Sequence, residues 1–86
     1  MRLSITSPPS AEQVSKVRVL MNAAVLKLAA EVNASGAESV DLVRVVRGAM
    51  SDIEKAISGR EAPEKTLRMV AAAVTMVGCT CEIQGG

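Results

Sequence analysis

The sequence contains no Phe, Tyr, Trp or His among its 86 residues. A core without aromatic rings has to be built from Val, Leu, Ile, Met and Ala, which each bury less area than a ring. The lack of His removes the commonest general acid–base group and a frequent zinc ligand. Since only two Cys are present, we expect no metal site within one chain and no cofactor.

The chain also lacks a charge excess and a long apolar run. It has 10 basic and 9 acidic residues, a net charge of +1, whereas proteins that bind nucleic acid polymers usually carry a basic excess. The longest nearly unbroken apolar run, residues 69–77, is too short to span a bilayer. We therefore expect a cytoplasmic protein that contacts neither a membrane nor a nucleic acid polymer.

The pattern that is present is helical. Hydrophobic periodicity predicts an all-α, single domain over residues 1–86: a helical hairpin and a third, apolar helix, near 11–33, 38–58 and 63–77. Ser10 and Gln13 form a capping-box pattern, and Gly59 and Gly78 are suited to end helices. From Met69 to Val77 the third helix is apolar all round, so we expect contacts on all sides of this part. Residues 2–6 and 79–84 alternate polar and apolar, which predicts short extended ends able to pair.

The first predicted helix has two apolar faces. One belongs to the core, and the second has the spacing of a helix-packing seam. This second stripe consists of Val19, Ala23, Leu26 and Ala30. Either the third helix of the same chain or another subunit can cover it. A domain of this size buries little surface by itself, so a homo-oligomer or a complex with another protein is expected.

Two further groups of residues have both a structural and a chemical interpretation. Cys79 and Cys81 differ from a Cys-x-x-Cys redox motif, and we interpret them as small buried apolar residues, with a metal shared between subunits as the alternative. Arg44 and Arg47 lie three apart on the polar face of the second helix, where guanidinium groups either bind phosphate or face solvent. No phosphate loop, nucleophile motif or metal-ligand cluster is present, which predicts a protein that is not an enzyme.

Residues 8–63 resemble the helical hairpin of phage nucleotide-sponge proteins, which counter CBASS and Thoeris immunity. The resemblance is carried by Pro8, the segment Glu12-x-Val14-x-Lys16-Val17, and the segment 53–57 before Pro63. It implies a compact helical oligomer that sequesters a cyclic nucleotide signal without cleaving it, with Lys16 as a phosphate contact. The family tends to stack bases on an aromatic side chain, which this chain lacks.

Two functions are therefore expected. The first is a non-enzymatic, oligomeric binding protein that sequesters a small phosphate-bearing ligand such as a cyclic nucleotide, through Lys16, Arg44 and Arg47. The alternative is a protein-interaction module, such as an inhibitor, a secretion chaperone or an antitoxin-like adaptor, which binds a protein through the apolar stripe of the first helix.

Overall fold

Three helices and a small sheet make up the fold. The computed structural model describes residues 1–36 and 39–85, without the side chains of Ser39 and Val40. The elements are β1 (Arg2–Ile5), α1 (Ala11–Ala34), α2 (Ser39–Ile57), α3 (Glu64–Met76) and β2 (Cys81–Gln84). The three predicted helices are confirmed: α1 begins at the predicted residue, and the other described ends differ from the prediction by one residue. Position 38, where the second helix was expected to begin, lies outside the described residues.

The two end segments of the chain pair with each other, so the predicted all-α class omits a small two-stranded sheet. β1 and β2 form an antiparallel sheet in which Leu3 lies opposite Ile83 and Ile5 opposite Cys81. These four side chains face the helices, whereas the residues between them face outwards, as their alternation predicts. The sheet therefore joins the first and last segments of the chain beneath the helices.

The core is formed where α3 packs against the hairpin of α1 and α2. Leu67, Val70 and Val74 are the largest side chains with almost no exposure to solvent. The hairpin contributes Val17 and Ile53, among other buried residues. Each side chain is aliphatic and small, so the core is thin: the molecule measures 41 × 28 × 15 Å.

Local signals in the sequence set the helix ends. Ser10 caps α1, because its hydroxyl accepts from the Gln13 amide at 3.2 Å while the Gln13 side chain accepts from the Ser10 amide at 2.8 Å. Gly59 and Gly78 follow α2 and α3 with φ of +76° and +91°. In both cases the glycine and the following residue donate to carbonyls of the last helical turn, the pattern of a Schellman motif. The predicted capping box and both glycine stops are confirmed.

One expectation about α3 is wrong. Contacts were expected on all sides of residues 69–77, yet Ala72 is exposed and Met76 is 73% exposed. α3 buries the face that meets the hairpin and the sheet, and its opposite face is exposed to solvent. None of the helices in the described ranges is long and apolar enough to cross a membrane.

An ion pair joins α1 to α2 at the side of the hairpin. Arg18 donates from Nε to Oε1 of Glu54 at 3.1 Å and from Nη2 to Oε2 at 3.2 Å. These hydrogen bonds are the largest influence on the pKa of Glu54 and lower it. Partial burial opposes them, and the positive charges of Arg18 and Arg60 lower this pKa further.

Leu67→Ala should lower the free energy of unfolding by about 2–5 kcal/mol, because it leaves a cavity at the centre of the core. Val43→Ala is the matched control: Val43 is 49% exposed on α2, and we expect a change within about 0.5 kcal/mol. Chemical denaturation followed by helical circular dichroism measures both. Equal effects of the two substitutions would contradict the position of the core.

Glu54→Gln should reduce the acid sensitivity of the fold. The pKa of Glu54 is lower in the folded chain than its ordinary value of 4.5. Its contribution to stability is therefore fully present above about pH 4.5 and is lost as the pH falls through the lower, folded value. Thermal melts from neutral pH to about pH 3 should show a smaller acid-induced loss in the variant. If Glu54→Gln reduces the acid-induced loss of stability by the same amount with and without Arg18→Gln, the Arg18–Glu54 ion pair is not the cause of that loss.

Candidate functional site

A groove opens between all three helices, beyond the part of the hairpin that α3 covers. Its volume is about 520 Å³, within the range of roughly 300–1,000 Å³ that is usual for small-molecule sites. We call it the three-helix groove. Its floor is apolar and aliphatic, and the larger side chains that form it are Leu28, Val45, Ile53 and Met69.

Charged side chains surround this floor. Lys27, Arg44 and Lys65 contribute three cations, one from each helix, and Glu31 and Asp52 contribute two carboxylates. None of these five side chains forms an ion pair of 4.0 Å or less with another residue in the described part of the chain. The three-helix groove therefore combines an apolar floor with cations that remain available to a ligand.

The start of α3 also reaches the three-helix groove. Lys65 and Thr66 lie in the first turn of α3 and line the groove. The first N–H groups of a helix have no partner within it, and the N-cap Pro63 provides no side-chain hydrogen bond to them. The positive end of a helix dipole thus lies beside the three cations.

Gly48 is the one glycine inside α2, and it lines the three-helix groove. Its φ is not positive, so its backbone does not require glycine. A Cβ built at this position would meet no atom within 4 Å, so packing within the chain does not require glycine either. The missing side chain leaves space in the wall of the groove.

The three cations singled out in the sequence do not converge. Arg44 lines the three-helix groove, whereas Arg47, one turn further along α2, is exposed and lines neither cavity. Lys16 lies near the other end of α1, where its Nζ is 3.6 Å from Oε1 of Glu12. Along α1, Lys16 and Lys27 are about 16 Å apart at 1.5 Å per residue. Lys16 and Arg44 therefore line different cavities.

Lys16 lines a second, more open cavity, which we call the α1 hollow. Its volume is about 430 Å³, and it lies between the first turns of α1 and the end of α3. Apolar side chains dominate it, mainly Val19, Leu20 and Met76. Since Val19 also belongs to the second apolar stripe, the hollow and the stripe form one continuous surface.

The second apolar stripe, here the α1 outer stripe, faces solvent. It consists of Val19, Ala23, Leu26 and Ala30. Val19 is 66% exposed and Leu26 is 71% exposed, and both alanines are exposed as well. α1 directs a different face, which includes Val17 and Met21, into the core. The third helix of the same chain therefore does not cover this stripe.

The two cysteines belong to the packing of the chain. Cys79 is buried in the core next to the end of α3. Cys81 is partly buried in β2, and its Sγ lies 3.8 Å from the carbonyl oxygen of Ala71. Both are free thiols. In the described part of the chain, no three Asp, Glu or Cys side chains are grouped so as to hold a metal ion.

Sequence reasoning missed two groove residues as site candidates. In the sequence Lys27 has the same two interpretations as Arg44, a phosphate contact or a solvated side chain, and no pattern marks Lys65, because pattern alone does not show which helices meet. One residue in the sequence could have indicated the groove. Gly48 lowers the stability of its helix by about 1 kcal/mol relative to Ala, and it forms no turn. A helix-interior glycine of this kind indicates a position where something approaches closely.

Comparison with known proteins gives no relative. No family model, no curated protein and no solved structure matches this chain. The three-helix groove, the α1 hollow and the α1 outer stripe are therefore the features from which a function can be argued.

Gly48→Ala should raise the free energy of unfolding by about 0.5–1 kcal/mol, because alanine restricts the unfolded chain and meets no obstacle in the fold. Gly59→Ala should lower it by about 1–2 kcal/mol, because a left-handed backbone is strained by a Cβ. Thermal and chemical denaturation measure both. A destabilising Gly48→Ala would mean that the space beside Gly48 is filled in solution.

Proposed function

We propose that this chain is a non-enzymatic binding protein that holds a small phosphate-bearing ligand in the three-helix groove. The observation that supports this most is the set of three cations, Lys27, Arg44 and Lys65, around an apolar floor, none of which forms an ion pair within residues 1–36 and 39–85. Phosphate oxygens require cations or N–H donors, and the remainder of an organic ligand gains from apolar contact. The groove provides both within one volume.

Each part of the three-helix groove has a chemical role in this proposal. Arg44 binds a phosphate through two parallel N–H···O bonds, and the two lysines act as point charges. The free N–H groups at the start of α3 add donors to the same phosphate. Glu31 and Asp52 accept hydrogen bonds from hydroxyl or amino groups of the ligand, which discriminates against a bare inorganic anion.

Cyclic nucleotides are the ligand class that we propose first. They are supported by the resemblance of residues 8–63 to phage nucleotide-sponge proteins, and they combine phosphates with a sugar and a base. In this chain the base lies on the aliphatic floor near Leu28 and Met69, because no aromatic ring is available for stacking. Lys16 stays a proposed phosphate contact at the α1 hollow, separate from the groove.

A second candidate function rests on the α1 outer stripe. Val19 and Leu26 expose about two thirds or more of their surface, and aligned apolar side chains on a helix are typical of protein interfaces. In this alternative the chain is an inhibitor, a secretion chaperone or an antitoxin-like adaptor. A protein partner then covers the stripe, and the three-helix groove has no ligand of its own.

A thermal-shift panel of cyclic mono- and dinucleotides, with inorganic phosphate as the control, tests the leading proposal. A ligand at 100 times its dissociation constant stabilises the folded state by about 2.7 kcal/mol, which raises the melting temperature by roughly 10–20 °C in a domain of this size. We expect a shift with at least one nucleotide and little with phosphate. If no member of the panel shifts the melt at saturating concentration, the nucleotide proposal is wrong.

Substitutions then locate the ligand. Arg44→Gln, Lys27→Gln and Lys65→Gln should each weaken binding about tenfold or more, because each removes a charge-assisted hydrogen bond. Arg47→Gln is the matched control on the same helix, and its affinity should stay close to that of the unchanged protein. Gly48→Leu should block the groove while the helical circular dichroism is retained. Titration calorimetry measures each affinity. An equal loss of affinity with Arg47→Gln would mean that the ligand binds outside the groove.

A further inference from the structure

The α1 outer stripe has surroundings that allow two copies of the same surface to meet. The positions beside it on the side of α2 are Ser15, Asn22 and Ala29, all neutral and, for Ser15 and Asn22, exposed. In a two-fold pair only residues near the axis meet their own copies, and the neutral residues along this edge bring no like charges together there. The nearest cations, Lys16 and Lys27, lie on the other side of the stripe, towards α3.

The order of side-chain sizes along the stripe favours one orientation. Large and small residues alternate in the order Val19, Ala23, Leu26, Ala30. If two copies of α1 run antiparallel, Val19 lies opposite Ala30 of the partner subunit, and Ala23 lies opposite Leu26 of the partner subunit. Every layer then combines one large and one small side chain, as close packing requires. A parallel pair would place Leu26 against its own copy and leave the alanine layers underfilled.

The exposed area of the chain agrees with a missing partner of this size. The surface measures 5496 Å², whereas a compact monomer of 8.9 kDa is expected to expose about 4,800 Å². The excess of about 700 Å² is close to the roughly 800 Å² that each subunit contributes to a standard interface. The radius of gyration of 13.4 Å likewise exceeds the value of about 12 Å expected for this chain length.

We propose that two copies of this chain form an antiparallel dimer through the α1 outer stripe, with Met76 at the rim of the interface. The occupant of the stripe is a second copy, because the neutral edge on the side of α2 and the alternating side-chain sizes make the surface complementary to itself. The three-helix groove is lined from the α3 side of α1 and stays open in this dimer. The dimer therefore forms with or without a ligand in the groove, and this inference is independent of the proposed function.

Sedimentation velocity on the full chain without added ligand tests the dimer. The unchanged protein should sediment as a species of twice 8.9 kDa at micromolar concentration. Leu26→Glu should raise the dimer dissociation constant about a hundredfold or more, because it buries an unpaired charge. Val43→Glu, at another exposed apolar position, should leave the dimer intact. A monomeric unchanged protein, or a dimer that tolerates Leu26→Glu, overturns the proposal.

An exchange of two side chains tests whether the stripe pairs with itself. In the proposed dimer, Ala23→Leu places two large side chains in the layers that combine positions 23 and 26, and Leu26→Ala places two small ones there. Each substitution should therefore weaken the dimer about tenfold or more. The double variant restores one large and one small side chain in each layer and should recover most of the affinity. A double variant weaker than both single variants would overturn self-pairing, and circular dichroism verifies that each variant is folded.

Cysteine crosslinking then tests the orientation. In an antiparallel pair, a chain carrying Ala23→Cys should form a disulfide with a chain carrying Leu26→Cys more readily than with its own copy. A preference of each variant for its own copy would overturn the antiparallel arrangement.

Discussion

Burial of one face of α3 is the interaction on which the other elements depend. Leu67, Val70 and Val74 fill the space between α1, α2 and the sheet, and α3 has contacts with all four other elements. Because no aromatic ring is available, this layer of aliphatic side chains is thin and covers only one side of each helix. The outer sides of the helices are left to solvent.

The chain ends keep this packing in place. Pairing of β1 with β2 joins residues about 80 positions apart, and Cys79 continues the core from the end of α3 into β2. The Gln13 side chain, which caps the start of α1, also donates to the carbonyl of Val77 at 3.0 Å. One residue thus fixes a helix end and the position of α3 along α1. Local capping and tertiary packing favour the same structure, as is typical of well-specified folds.

The two candidate surfaces follow from the lengths of the helices. α3 has 13 residues and α1 has 24, so α3 covers only part of the hairpin, and the groove opens beside the first turn of α3. The α1 outer stripe lies on the side of α1 that faces away from the core. The two surfaces have different chemistry, since the groove is ringed by charged side chains from three helices and the stripe is apolar with one neutral edge. A single chain can therefore bind a ligand and a second copy at separate places.

The sequence by itself determined the helices and their ends. Periodicity located α1, α2 and α3, and Ser10, Gly59 and Gly78 marked ends because capping depends on neighbouring residues only. It also identified the α1 outer stripe, since a repeat along one helix is local. Only the tertiary structure decided what covers that stripe, and which cations share a cavity. Lys27, Arg44 and Lys65 come from three helices, and their meeting depends on how far α3 extends along the hairpin, which is a property of packing between segments distant in the chain.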